Sequence, residues 1–393
     1  MDLGAIQQAL GEAGFDGWLF YDFHHRDPMS YRILGLDPSN MTTRRWFYYV
    51  PASGEPVKLS HRVEPRKLDP LPGRQEFYLA WTELHEQLRM MLPRQGKVAM
   101  QYSPLANIPY VSVVDAGTVE LIRSLGPEVV SSADLVQRFE AVTGDDGYRS
   151  HCAAGEVVQQ VKDEAYEKMG RALRDGSAVT EFDLREYILA RFAEEGLTAD
   201  GHVPIVGFND HPADPHFEPT AENAYTLKRG DTILVDLWAR QERPGAIYYD
   251  VTWCGFAGED PPALYREIFD TVCRARDAAL DFVRERMGSG DGCSGAEVDE
   301  VCRRVVSEAG HGDAFLHRTG HSIGTDVHGN GVNIDNLETR DERRLVPGIC
   351  FSIEPGIYLA GRMGVRSEID VFITPQGGVE VFGPIQRELL RVG

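Results

Sequence analysis

Several things are scarce in this sequence, and each scarcity narrows its class. No apolar run approaches the ~18 residues that a membrane span requires, so no transmembrane helix is expected. The first residues, MDLGAIQQALGEAGFDGW, have no basic start leading into an apolar stretch, so a secretory signal is not expected either. Six cysteines (Cys152, Cys254, Cys273, Cys293, Cys302 and Cys350) are dispersed without a C-x-x-C pair, which suits free thiols in a reducing cytoplasm. Positive charge is short: 40 Lys and Arg face 61 Asp and Glu, for a formal net charge of −21. That balance argues against a nucleic-acid partner and favours solubility, while saying little about fold. No segment is low-complexity or built like a Ser/Gly linker.

What is present is the composition of a soluble globular protein, 42% hydrophobic and 26% charged. Its 393 residues suffice for two domains of ordinary size. Up to about residue 130 the chain reads as a mixed α/β unit. LGAIQQALGEAG is helical, with Gly14 as its stop signal. GWLFYDF and RWFYYVP are aromatic-rich strands, FYLAWTELHEQLRMMLP has helical periodicity, and GKVAMQY returns to a strand. The connection SSADLVQRFEAVTGDDGYRS holds a short helix capped by Ser132 and a turn cluster at TGDDG. The boundary is placed near residue 145, giving domains 1–145 and 146–393. The first lacks an acid–histidine cluster and is expected to shape access or to oligomerise. The second pairs helices at about 149–175 and 180–196 with strands, then helices at about 261–287 and 295–309 with more strands. That order predicts an α+β domain with two similar halves.

Four acids and a histidine sit in strand-like segments of the second domain: Asp236, Asp250, His321, Glu354 and Glu368. A carboxylate buried without compensation loses several kcal/mol, so it is paired, hydrogen-bonded or bound to metal. These segments hold no matching set of Lys or Arg, and a pair of divalent cations would supply the missing charge. In ILVDLW, Leu234, Asp236 and Trp238 share a face; in IYYDVTW, Tyr248, Asp250 and Thr252 do. QERPG between them is a turn cluster, so the two strands form an antiparallel hairpin with both aspartates on one side. Either aspartate alone would read as an ordinary strand-edge or turn carboxylate. HRTGHSIGTDVH carries His317, His321 and His328. His317 and His321 are four apart, but Arg318 stands where the glutamate of an H-E-x-x-H helix would be, and the glycines favour strand or loop. CFSIEPGIY puts Cys350, Ser352 and Glu354 on one face, and GVRSEIDVFIT puts Arg366, Glu368 and Asp370 on one face.

This ordered set resembles the pita-bread metallopeptidase family (M24) of methionine aminopeptidase, aminopeptidase P and prolidase, over about residues 150–393. The smaller first domain is similar to that of the prolidase, aminopeptidase P and creatinase branch, and weighs against a methionine aminopeptidase. The resemblance implies that Asp236, Asp250, His321, Glu354 and Glu368 hold two metals. It makes His216 (in DPHFEP) and His328 substrate contacts and His317 a further active-site histidine. It also implies a homodimer. The aspartates are 250 − 236 = 14 apart, wider than expected for the family; Phe217 stands where Tyr is usual; the last motif reads RSEID. No ligand is lost. Oxygen-rich sites with one imidazole suit Mn²⁺ or Co²⁺, with Zn²⁺ also accommodated.

The expectation is therefore metal-dependent hydrolysis of Xaa-Pro dipeptides by a water activated between two metals. Glu354 is the expected base, with His216 and His328 polarising the carbonyl and stabilising the oxyanion. The close alternative is aminopeptidase P acting on longer Xaa-Pro peptides; a metal-dependent hydrolase or lyase of other substrates on the same fold is the third reading. A dipeptidase needs a cation for the free carboxylate. Arg366, two residues from Glu368, is the first candidate for it, with the bracing of a ligand as its alternative part, and the pair Arg44-Arg45 is the second.

Overall fold

A computed structural model describes residues 1–393. Its chain divides into two compact units, Met1–Glu140 and Ala141–Gly393.

Unit 1 contains α1 (Leu3–Ala13), β1 (Gly17–Asp22), α2 (Pro28–Leu34), β2 (Trp46–Pro51), β3 (Val57–His61), β4 (Arg74–Tyr78), α3 (Trp81–Met91), β5 (Lys97–Met100), α4 (Ala116–Ser124), β6 (Glu128–Ser131) and the short α5 (Ala133–Val136). Asp2 caps α1 by accepting from the amide of Ala5, and Gly14 closes it in the left-handed conformation at φ 66°. The strands form one mixed sheet in the order β4-β3-β2-β1-β5-β6. Alternation in β1 and β2 sends Trp18, Phe20, Trp46 and Tyr48 into one apolar layer and Leu19, Tyr21, Phe47 and Tyr49 into the other. A sheet covered on both faces explains why these strands read as unbroken aromatic runs. The helix expected from Phe77 starts later, at Trp81, because Phe77 and Tyr78 pair with Ser60 and His61. Ser132 stands at the start of α5 but its side chain makes no capping bond.

Unit 2 opens with α6 (Asp145–Asp175) and α7 (Glu181–Glu194), followed by β7 (Leu197–Thr198), β8 (Ile205–Phe208), β9 (Thr232–Gln241) and β10 (Tyr249–Phe256). The second half repeats the plan with α8 (Ala263–Ser289) and α9 (Gly295–Glu308), then β11 (Ser322–Ile323), β12 (Cys350–Ile353), β13 (Gly356–Leu359), β14 (Met363–Arg366), β15 (Ile369–Ile373), β16 (Val379–Val381) and β17 (Leu390–Arg391). The DDG of the expected turn cluster belongs to α6, whose first turn holds Asp145 and Asp146. Acids there complement the positive end of the helix dipole.

The strands form a sheet β17-β10-β9-β7 with β8 also on β9, a sheet β11-β12-β15-β16, and the pair β13-β14. One face of β9 and β10 sends Ile233, Val235, Leu237, Tyr249, Val251 and Trp253 into a core with Val158, Leu184 and Phe192 from α6 and α7. The opposite face belongs to the core with Phe269, Val272, Phe351 and Ile353. Asp236 and Asp250 lie on that second face.

Candidate metal centre

The hairpin register explains how the two aspartates meet. Thr252 stands opposite Asp236, and Asp250 opposite Trp238, so all four share a face. The 14-residue separation is absorbed by the turn between β9 and β10, as the sequence requires. From the other half, β12 pairs with β11 (Ser322 opposite Phe351) and with β15 (Ser352 opposite Asp370). His321 precedes β11 and Glu354 follows β12. Ser352 ties them: its Oγ accepts from the His321 amide at 2.9 Å and donates to Glu354 Oε1 at 3.1 Å. Glu368, between β14 and β15, is joined to β10 when the Thr252 hydroxyl donates to its Oε2 at 2.7 Å.

Ligand atoms of Asp250, His321 and Glu368 all lie within 4.8 Å of one another, and the three residues are buried. His321 Nε2 is 3.2 Å from Glu354 Oε1 and 3.8 Å from Asp250 Oδ2. Arg366 joins Asp236 to the group: it pairs with Asp236 Oδ2, and its Nε is 3.8 Å from Glu354 Oε2. All five expected ligands thus converge through direct contacts or this one guanidinium.

Burial sets the electrostatics. Desolvation, then the neighbouring carboxylates, pushes Asp250 and Glu368 well above the usual range, and desolvation lifts Glu354 to about 7. His321 is driven well below its ordinary value, by desolvation first and then by His328 and Arg318. Its Nδ1 faces the Ser322 carbonyl at 3.3 Å, which leaves the Nε2 lone pair pointing at carboxylate oxygens. Acceptor facing acceptor needs a proton or a metal cation between them. The oxygens Asp236 Oδ1, Asp250 Oδ1 and Glu368 Oε1 are buried with no hydrogen-bond partner. An unpartnered buried carboxylate oxygen is costly, and a divalent cation removes the cost. The donor set, carboxylates with one neutral imidazole, fits such ions.

Two sequence assignments change. His317 does not face open space: its Nδ1 meets the Arg318 carbonyl and its Nε2 the Tyr358 hydroxyl, both at 2.7 Å. Both ring nitrogens are used, so His317 is a positioning residue. Tyr358 in turn accepts from Arg366 Nη1 at 3.0 Å. Arg366 is likewise committed, with Nε on Thr252 Oγ1 at 3.1 Å and Nη2 on Asp236. At 4% exposure it braces Asp236 and Thr252 rather than standing open to a carboxylate.

His328 packs edge-on against His321, ring centres 4.3 Å apart. Its basicity is lowered by partial desolvation first, then by Arg318, His202 and His216. His216 is exposed in the loop after β8, outside the carboxylate cluster. Arg44 is exposed and its Nη1 bonds Thr43.

Sequence reasoning missed the parts played by Tyr358, Ser352, Arg318, His202 and Asp370. Asp370 Oδ2 accepts from the Asp250 amide at 2.7 Å, with His151 Nδ1 at 4.0 Å behind it. The shared parity of Ser352 with Glu354, and of Asp370 with Glu368, was the available signal. Nothing in the sequence pointed to Tyr358, which reaches the site across a turn.

Comparison with known proteins supplies the family. The model of metallopeptidase family M24 matches residues 153–375, more than half the chain. The probable dipeptidase PepE of Mycobacterium tuberculosis is 31% identical over 281 residues, covering 71% of this chain and 68% of that protein. The Xaa-Pro dipeptidase of Lactobacillus delbrueckii subsp. lactis is 31% identical over 196 residues, covering 50% and 48%. Dipeptidase PepE from Mycobacterium ulcerans, a solved structure, superposes with a TM-score of 0.71 at 26% identity over 99% of this chain and 96% of its own. The chain belongs to metallopeptidase family M24. It is a metal-dependent hydrolase with the pita-bread fold of that family in unit 2. No helix is long and apolar enough to cross a membrane.

Proposed function

We propose that this protein cleaves Xaa-Pro dipeptides at a centre of two divalent ions held by Asp236, Asp250, His321, Glu354 and Glu368. The observation that carries the reading is the set of buried, partnerless oxygens on Asp236, Asp250 and Glu368 around a neutral His321. The similarity to a protein named Xaa-Pro dipeptidase supplies the substrate class. Mn²⁺ or Co²⁺ suits the donors best, and Zn²⁺ is accommodated. Bound ions would supply Lewis acidity, acidifying water and offsetting charge on the peptide carbonyl.

The chain's own groups do the rest. Glu354, between Ser352, His321 and Arg366, takes the proton of the attacking water. His328 and the exposed His216 orient the carbonyl and stabilise the developing oxyanion. Arg366, Tyr358 and His317 hold the ligand frame as one chain of hydrogen bonds. A dipeptide's free carboxylate needs a cation, and a guanidinium fits it best. With Arg366 committed to Asp236 and Thr252, that contact falls to another cation. Unit 1 is assigned substrate access and dimerisation, in a cytoplasmic homodimer.

The test compares kcat/KM for Ala-Pro, Ala-Pro-amide and Ala-Pro-Ala with Mn²⁺-loaded enzyme. Ala-Pro should be preferred by at least ~10-fold, since a missing carboxylate leaves a cation unpaired. Equal or faster cleavage of the tripeptide would replace this reading with aminopeptidase P.

A further inference from the structure

The loop that presents His216 has no strand of its own, and a carboxylate unused by the proposed chemistry shapes it. Glu181, the first residue of α7, is fully buried. Its Oε1 accepts from the Phe208 amide at 2.6 Å and its Oε2 from the Tyr225 amide at 2.7 Å. His211 Nδ1 lies 2.9 Å from both oxygens. The His211 ring is stacked between Phe217, at 4.1 Å, and Tyr225, at 3.7 Å. Phe217 directly follows His216, so the stack holds the far end of the loop while Glu181 holds its near end. Between these anchors the chain is pressed onto β8 and β14. A methyl group at Gly364, in β14, would meet the Pro212 carbonyl oxygen at 1.8 Å, and one at Gly207 would meet Pro212 Cγ at 2.7 Å. The Pro215 carbonyl faces Arg366 Nη1 at 3.5 Å. The loop therefore has one seat, directly beside the ligand-bracing arginine.

We propose that Glu181 and His211 form a clamp that positions His216 for catalysis. Neither touches a reacting atom; both act through His216. The inference rests on the reading of His216 as a substrate contact.

A double-mutant cycle on the full-length, Mn²⁺-loaded enzyme with Ala-Pro tests it. His211→Phe keeps the aromatic stack and removes the bond to Glu181; Glu181→Gln keeps the volume and removes the charge. Metal content and thermal midpoint are followed beside kcat and KM, so that His211→Phe remains decisive if Glu181→Gln folds poorly. His211→Phe should lower kcat at least ~10-fold, with KM within about threefold and metal content unchanged. Adding His216→Ala to it should cost less than about threefold more, because residues that act as one unit are non-additive. Wild-type kcat in His211→Phe beside a crippled His216→Ala overturns the clamp alone. Fully additive losses also overturn it, since they assign Glu181 and His211 a purely structural part. Wild-type kcat in His216→Ala overturns the reading of the site, and the clamp with it.

Discussion

Asp22 and Asp27 in unit 1 are as deeply buried, at 1% and 2% exposure, as Asp236, Asp250 and Glu368 in unit 2, at 6%, 4% and 3%. Asp22 accepts from the amides of His25, Arg26 and Asp27 and from the Tyr31 hydroxyl. Asp27 accepts from the amide and hydroxyl of Ser30. Each oxygen of that pair has a donor. The three acids of unit 2 each keep an oxygen without one. Burial alone therefore does not distinguish a structural carboxylate from a functional one. The supply of donors separates these five: Asp22 and Asp27 fold a loop and cap a helix, while Asp236, Asp250 and Glu368, with Asp370 behind them, each keep one oxygen without a donor.

The largest expected effect comes from removing an open carboxylate. Asp250→Ala should abolish both metal retention and Ala-Pro hydrolysis while the fold persists, measured by elemental analysis, kinetics and circular dichroism. Activity surviving that change would make Asp250 equivalent to Asp22. Next is Glu354→Gln, which preserves shape and one oxygen but not the base. Its kcat should fall by at least ~10², the usual general-base contribution. An unchanged kcat at neutral pH would move the base elsewhere.

The mirror experiment in unit 1 is smaller. Asp22→Asn should cost roughly 1–3 kcal/mol in urea unfolding, as expected for spoiled buried hydrogen bonds, without altering bound metal. Metal loss in that variant would blur the distinction drawn between the units.

The smallest effect is a pH dependence. Asp250, Glu354, Glu368 and Asp370 hold protons more tightly folded than unfolded, chiefly through desolvation. In metal-free protein their stabilising contribution is complete below the unfolded carboxylate range and is lost as pH rises through the folded values, about 7 for Glu354. His151, His317 and His321 have lowered values, so their contribution is lost as pH falls below about 6.5. Above pH 6.5 the raised acids act alone, and Asp27 of unit 1, lifted to about 7 by desolvation, adds a smaller part to the slope. The melting temperature of metal-free protein should therefore drop between about pH 6.5 and 8, and saturating Mn²⁺ should flatten the slope. A rising or level curve without metal would show that these acids are satisfied after all.

Much of this centre was legible in the sequence because strand parity is a strong constraint. Asp236 and Asp250 share a face by a period of two, and the register, Thr252 opposite Asp236, follows from the turn that joins the strands. The order of acids and histidine carried the family. What was hidden depends on atoms meeting across separate segments. Tyr358 occupying His317 Nε2 follows from the packing of β13 beside the turn at Gly312–Ala314, and Arg366 being consumed by Asp236 and Thr252 from the packing of β14 beside β9 and β10. No periodicity encodes that. The same limit applies to α6, whose DDG start has turn-like composition but serves as the acidic first turn of a long helix.

The central claim is that the open carboxylates Asp236, Asp250 and Glu368 belong to a metal centre and the fully bonded Asp22 and Asp27 do not. Elemental analysis of wild-type protein after chelation, desalting and Mn²⁺ titration, beside its Ala-Pro turnover, tests it most directly. The account predicts two equivalents of Mn²⁺ per chain, with turnover absent from the stripped protein and restored as the sites fill. Full turnover in stripped protein, with no Mn²⁺ taken up, would contradict it.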